Sequence, residues 1–193
     1  PSNHDATLYP PTLFEDYQVP EELLEEEKPY DVCLVNLCVN KGIHCFIQAA
    51  KMNPDKKFLG VIGAYEDQVI KGLPPNVTVT RHTPNMVKDV YSKVKILIMP
   101  SKKETWGMVA LEAMCSGIPV IAHPTEGLTE ACGSAGLFVH RDKAYIWDGL
   151  IKKLLSDSDY YEAQGERCIA RAKELDAIVH KQLENIERII AND

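Results

Sequence analysis

The feature that most constrains this chain is an alternation that begins near residue 30. Short apolar runs rich in β-branched residues give way, again and again, to stretches of helical periodicity. The runs are Asp31–Leu37, Lys57–Gly63, Val77–His82, Lys95–Pro100, Pro119–His123 and Gly136–His140. Between them, Ile43, Phe46, Ile47 and Ala50 follow the i, i+3, i+4, i+7 rule of a helix face. Trp106, Val109, Ala110, Ala113 and Met114 do the same, as do Trp147, Leu150, Ile151 and Leu154. Strand then helix, repeated about six times, predicts an α/β fold. Its core is a Rossmann-like parallel sheet of about six strands, with right-handed crossovers and helices on both faces. The near-continuous apolar run Ile96-Leu97-Ile98-Met99 fits a sheet covered on both sides.

The flanks differ. Residues 1–29 read as a connecting segment, punctuated by Pro1, Pro10, Pro11, Pro20 and Pro29. Within it, Glu21 to Glu27 allows at most two helical turns. After residue 157 the strands stop. Two long helical stretches are expected to pack on the domain, one ending near Leu175 and one running through Ile178, Val179, Leu183, Ile186 and Ile190. The division is therefore 1–29, 30–157 and 158–193. The first residue is Pro1 rather than Met, which fits a piece of a longer chain.

Composition narrows the class. With 193 residues, 45% hydrophobic and 25% charged, the chain can bury a core, which excludes wholesale disorder. A net charge of −7 argues against broad binding to nucleic acid or anionic membranes. No apolar run reaches the ~18 residues of a membrane span. The six cysteines form no CxxC pair and read as free thiols of a reducing compartment, so a cytoplasmic location is expected. Asn76-Val77-Thr78 matches a glycosylation acceptor, which carries little weight without a secretion signal.

In such a sheet, ligands bind beyond the carboxyl ends of the strands. The first turn, Asn36-Leu37-Cys38-Val39-Asn40-Lys41-Gly42, leads at once into a helix. Unpaired N–H groups, the positive end of the dipole and the Lys41 charge together suit a phosphate. A surface lysine in a first turn is the plainer alternative. In the fourth turn Pro100-Ser101 ends a strand, and Lys102 to Gly107 leads into a helix over Met108–Ser116. Glu104 lies at the helix mouth and Glu112 falls off the core face, so both carboxylates can point at one cleft edge and accept bonds from sugar hydroxyls. Equally, Ser101-x-x-Glu104 reads as a capping box and Glu112 as a solvated helix residue. Glu126 and Glu130 in the fifth turn can approach the same cleft, or belong to a polar loop and a short helix. The third turn, Arg81-His82-Thr83-Pro84, can present backbone to a flat base, or be a polar strand end. No Walker A loop, no G-x-G-x-x-G fingerprint and no metal-ligand cluster is present.

Several of these elements occur together in a recognisable order. They are Lys41-Gly42, Pro100-Ser101, Glu104-Thr105-Trp106-Gly107-Met108-Val109-Ala110-Leu111-Glu112-Ala113-Met114, Gly117 to Ala122 and Glu126-Gly127-Leu128-Thr129-Glu130. Over residues 30–157 this pattern resembles the C-terminal domain of retaining glycosyltransferases of family 4, with the two-domain GT-B fold. The resemblance implies a donor-binding half that holds a nucleotide-diphosphate sugar against an N-terminal acceptor domain. It implies that Glu112 binds the ribose, that Glu104 binds the donor sugar, and that the Gly107 and Met108 amides serve sugar and phosphate. It places Trp106 and Val109 on the donor, Lys41 on the pyrophosphate, and Arg81, His82 and Thr83 on the base. Lys41 and Glu104 are the implied catalytic pair. No metal and no cofactor are implied, because a lysine and a helix end handle the diphosphate.

There are two departures. Where many relatives carry Gly-Arg five residues before the lysine, this chain has Val35-Asn36, a variant also found in the family. The N-terminal domain is missing from the sequence, so the acceptor (a carbohydrate, lipid or protein) would be presented by a missing domain or a partner chain. The competing function is a module that binds nucleotide or nucleotide-sugar without transfer. A sugar epimerase or phosphorylase of the same fold is disfavoured by the two spaced glutamates.

Overall fold

The structure, a computed structural model, describes residues 9–10, 13–64 and 66–191. All six expected strands form: β1 (Tyr30–Val35), β2 (Phe58–Val61), β3 (Val77–Thr80), β4 (Val94–Met99), β5 (Val120–Ala122) and β6 (Leu137–Phe138). They make one parallel sheet in the order β3-β2-β1-β4-β5-β6. The helices are α1 (Glu21–Leu24), α2 (Ile43–Met52), α3 (Met86–Asp89), α4 (Met108–Cys115), α5 (Glu126–Cys132), α6 (Ala144–Ser156) and α7 (Ser158–Ile190).

Alternation along each strand sends neighbouring side chains to opposite faces. Val32 and Leu34 of β1, with Ile96 and Ile98 of β4, meet Ile43 and Phe46 of α2 and Trp147, Ile151 and Leu154 of α6. Cys33, Leu97 and Met99 point the other way, toward Leu111 and Met114 of α4, Leu128 of α5 and Leu175 of α7. The sheet is covered on both sides, which is why its central strands carry no polar alternation. All six cysteines are free thiols, and all but Cys45 are buried. Burial pushes the Cys115, Cys132 and Cys168 thiols up to about 12.

Two expectations need correction. No described residue between β2 and β3 is helical, so the strand–helix repeat is broken there. Gly63, Gly72, Pro74 and Pro75 in that stretch explain it. Asn76 then closes the link by donating its amide to the carbonyls of Ala50, Asn53 and Lys56 at the end of α2. The glycosylation-like triplet thus begins with a helix-capping side chain. Second, the two stretches expected after residue 157 run together as the single 33-residue α7. Nothing between Glu174 and Ile178 breaks a helix. Its start is capped by Asp157, whose carboxylate accepts from the Tyr160 N–H at 3.0 Å. Part of the proline-punctuated segment 1–29 lies outside the described residues. The described part packs on α4 and α7: Phe14 is buried, its N–H donating to Asp176, and the Tyr9 N–H donates to Gln182.

The sheet order reverses between β1 and β4, and there two backbone segments approach closely. Gly42 caps α2 with φ 87°, and a Cβ on it would sit 2.5 Å from the Pro100 carbonyl oxygen. Gly42→Ala should therefore destabilise the protein by about 1–3 kcal/mol through strain at positive φ. Gly149, inside α6 with nothing within 4 Å of its would-be Cβ, is the matched control. Gly149→Ala should stabilise by roughly 0.5–1 kcal/mol. Urea denaturation of both variants checks the pair; equal effects would contradict the close-approach account.

Candidate functional site

At the β1/β4 reversal, the connections leave for opposite faces and a crevice opens between them. The Lys102 N–H donates to the Asn40 carbonyl at 2.7 Å, tying the two connections together. Lys41 then meets Glu104 across the crevice in a hydrogen-bonded ion pair, both side chains being partly buried.

Helix α4 begins at Met108 with Gly107 as its N-cap, at φ 100°, and no side chain caps it. Ser101 lies six residues before that cap, so the capping-box reading of Ser101 and Glu104 fails. Glu104 is a partner of Lys41 instead. Two glycines allow the tight packing here. A Cβ on Gly107 would lie 2.7 Å from a Leu128 methyl, and one on Gly127 would lie 2.5 Å from the Thr105 backbone.

Three adjoining cavities follow the carboxyl edge. The first, about 400 Å³, is walled by Tyr17, His82, Thr83, Val109 and Glu112, among others. The second, about 250 Å³, shares His82 and Val109 and adds Asn36, Lys41 and Ser101. The third, about 890 Å³, holds Lys102, Lys103, Glu104, His123, Glu126 and Glu130. Glu104 and Glu112 therefore open on different chambers of the same edge rather than on one shared chamber. The seven-residue spacing puts one in the loop and the other a turn into α4.

Glu112 is held from below. The fully buried Tyr91 donates its hydroxyl to Glu112 Oε2 at 2.6 Å. Burial raises the Glu112 carboxyl above its ordinary value, and the Tyr91 hydrogen bond partly offsets that. Burial and the neighbouring Glu112 push the Tyr91 hydroxyl well above its usual range. Elsewhere, burial lowers the His123 imidazole, with His140 and Arg141 beside it adding to the effect.

The structure brings together Asn36, Lys41, His82, Thr83, Glu104, Val109 and Glu112 along this edge, with Gly107 and Met108 at the α4 terminus. Two expected donor residues lie apart. Arg81 is exposed and borders none of the three cavities. The Trp106 ring packs at a 38° tilt on Tyr9, with centroids 4.7 Å apart, and faces Leu111, Cys115, Leu175 and Val179. The Thr83 hydroxyl is already engaged, donating to Asp89 and accepting from the Asn85 N–H. Nothing in the sequence marks Tyr91 as a partner of Glu112. A buried tyrosine needs a partner for its hydroxyl, which is the only signal Tyr91 offered.

The family model for glycosyl transferases group 1 matches residues 16–174, so the chain belongs to that family. It is 33% identical over 123 residues to the D-inositol 3-phosphate glycosyltransferase of Corynebacterium aurimucosum, covering 62% of this chain and 28% of the relative. With the Nocardia farcinica enzyme of the same name it shares 35% over 91 residues, 46% of this chain and 20% of that one. The chain thus spans between a fifth and a third of the curated relatives it matches. Among solved structures, sucrose-phosphate synthase from Thermosynechococcus elongatus superposes with a TM-score of 0.76 at 22% identity, over 94% of this chain and 52% of that one. Anabaena HepE, solved in complex with UDP and glucose, superposes at 0.75 and 18%, over 93% of this chain and 56% of that one. These likenesses show the fold.

The raised Glu112 carboxyl has a consequence for stability. A folded value above the ordinary 4.5 means that folding takes up a proton. The stability contributed by Glu112 is present in full below pH 4.5 and is lost as pH rises through the raised folded value. Glu112→Gln cannot titrate. Melts between about pH 4 and about pH 8 should therefore shift in favour of the variant as pH rises. A stability gap that is flat with pH would contradict the burial of this carboxylate.

Proposed function

We propose that this chain is the donor-binding half of a retaining glycosyltransferase that uses a nucleotide-diphosphate sugar. The observation that carries this is the order of the three cavities. The His82, Thr83 and Glu112 chamber suits base and ribose. The middle chamber, whose wall has Lys41 as its one lysine, arginine or acid among the described residues, suits the diphosphate. The third, with Glu104, Glu126 and Glu130, suits the hydroxyls of a sugar. That is the order of the parts in a nucleotide-sugar. The UDP and glucose bound in the HepE structure support the same reading.

The ion pair gives a mechanism for coupling binding to chemistry. Glu104 neutralises Lys41 across the crevice. A diphosphate would draw Lys41 away, leaving Glu104 to accept a hydroxyl of the donor sugar. As the bond between the sugar's anomeric carbon and the diphosphate oxygen breaks, the leaving oxygen gains negative charge. Lys41 and the α4 terminus then interact more strongly with the transition state than with the ground state. An acceptor hydroxyl, positioned by an acceptor domain or partner chain, bonds to the anomeric carbon with retention and gives its proton to the leaving diphosphate oxygen. No cofactor or divalent metal is invoked, and we place the protein in the cytoplasm. The binding-module alternative differs only in lacking transfer when the acceptor half is supplied.

Calorimetry with UDP, GDP and ADP, paired with a transfer assay, tests the reading. This chain should bind at least one nucleoside diphosphate and transfer sugar poorly or not at all by itself. Failure to bind any of the three would refute the donor reading, and efficient transfer by this chain alone would refute the two-part mechanism. Glu104→Gln frees Lys41, so it should tighten free nucleoside diphosphate while weakening the sugar-bearing donor, each by on the order of tenfold for one charge-assisted contact. In the full-length enzyme, Lys41→Ala should lower kcat/KM by on the order of 10²-fold. Asn36→Ala, which removes no charge, should be much milder.

A further inference from the structure

The β1–α2 turn contains a donor–acceptor chain whose direction is fixed by chemistry. Gln68 Oε1 accepts from the backbone N–H of Leu37 at 2.8 Å and of Gly63 at 3.0 Å. Backbone N–H groups only donate, so the Gln68 atom facing them has to be oxygen, and its other end has to be the NH2. That NH2 donates to Asn36 at 2.6 Å, so the receiving atom has to be Oδ1. The Asn36 NH2 is then the end left over. No hydrogen bond within the described residues takes it up, and Asn36 lines the middle cavity with Lys41.

Asn36 is held on several sides. Asn36 is 5% exposed and sits in the left-handed region at φ 70°, a conformation asparagine tolerates better than most side chains. Its own N–H donates to the Val61 carbonyl at 2.8 Å. Gly63 leaves room for it, since a Cβ there would lie 2.4 Å from Asn36 Cγ.

We propose that Gln68 is a positioning residue: by accepting two fixed backbone N–H groups it orients its own amide, and so turns the Asn36 NH2 into the middle cavity as a donor to a phosphate oxygen beside Lys41. A phosphate oxygen at this pH accepts and does not donate, so a flipped Asn36 would set a carbonyl oxygen against it. This inference rests on the donor-binding reading and adds to it a residue from the β2–β3 loop. It also accounts for a neutral side chain at position 36: the relay supplies orientation where charge is absent.

Gln68→Glu separates orientation from architecture. A carboxylate at position 68 still accepts from Leu37 and Gly63, but it has no proton for Asn36, so Asn36 should flip toward it. Calorimetry with a nucleoside diphosphate and with the matching nucleoside reads the outcome. Wild type is expected to bind the diphosphate. Q68E should bind it about tenfold more weakly, while nucleoside affinity and Tm stay near wild type. In an Asn36→Ala background, Q68E should change diphosphate affinity by less than about twofold, because the coupled partner is gone. Unchanged diphosphate affinity in Q68E, an equal loss for nucleoside and diphosphate, or an undiminished loss in the Asn36→Ala background would each overturn the proposal. The last of these would mark the added charge as the cause. Absence of diphosphate binding by wild type would instead overturn the donor reading beneath it. If Q68E does not fold, Asn36→Asp carries the same question. With Gln68 in place, it turns a carboxylate oxygen toward the phosphate, and wild-type diphosphate affinity in that variant would overturn the proposal.

Discussion

Everything at the candidate site depends on how closely two backbone segments approach at the β1/β4 reversal. Gly42 rests against Pro100 with no room for a Cβ, and Asn40 accepts from the Lys102 N–H. That contact sets the distance between the turn carrying Lys41 and the loop carrying Glu104. With it fixed, a lysine and a glutamate 63 residues apart meet in a partly buried pair. Were the two turns further apart, the crevice would be wider and each charge would be solvated separately. The parallel sheet itself supplies the crevice, because its connections diverge there.

The site stores its charges in satisfied pairs. Glu104 is held by Lys41, Glu112 by Tyr91, and the Asn36 amide oxygen by Gln68. Half-buried polar groups need such partners, since leaving one unsatisfied costs about 1–3 kcal/mol. On the proposed reading, a nucleotide-sugar exchanges partners at Lys41 and Glu104 and meets the unengaged NH2 of Asn36. That exchange is a source of selectivity. Under the proposed donor reading, a molecule that offers an anion to Lys41 and hydroxyls to the two glutamates replaces what it displaces.

Much of this was legible in the sequence, for reasons that can be named. Val32, Leu34, Ile96 and Ile98 alternate with Cys33 and Leu97, and covered parallel strands require apolar residues on both faces. Lys41 and Glu104 stood out by residue type and position in their turns, and the structure pairs them across the crevice. What escaped were interactions that depend on three-dimensional neighbours. Trp106 belongs to the same sequence block as Glu104, yet its ring turns away to pack on Tyr9. Tyr91 sat beside an apolar run and gave no sign that its hydroxyl would reach α4. Gln68 lies in a loop without periodicity, so nothing local marks it. The break between β2 and β3 was readable in Gly72, Pro74 and Pro75, and the continuity of α7 in the absence of a breaker.

The central claim is that a nucleoside diphosphate lies along the carboxyl edge, across the β1/β4 reversal. Backbone amide NMR of this chain, titrated with such a nucleotide, tests it most directly. The account predicts shifts concentrated at Asn36, Lys41, His82, Gly107 and Glu112. It predicts none at the groove on the opposite end of the sheet, formed by Lys28, Lys95, Leu154 and Tyr161. Saturable shifts at that opposite groove, with the reversal unperturbed, would contradict it.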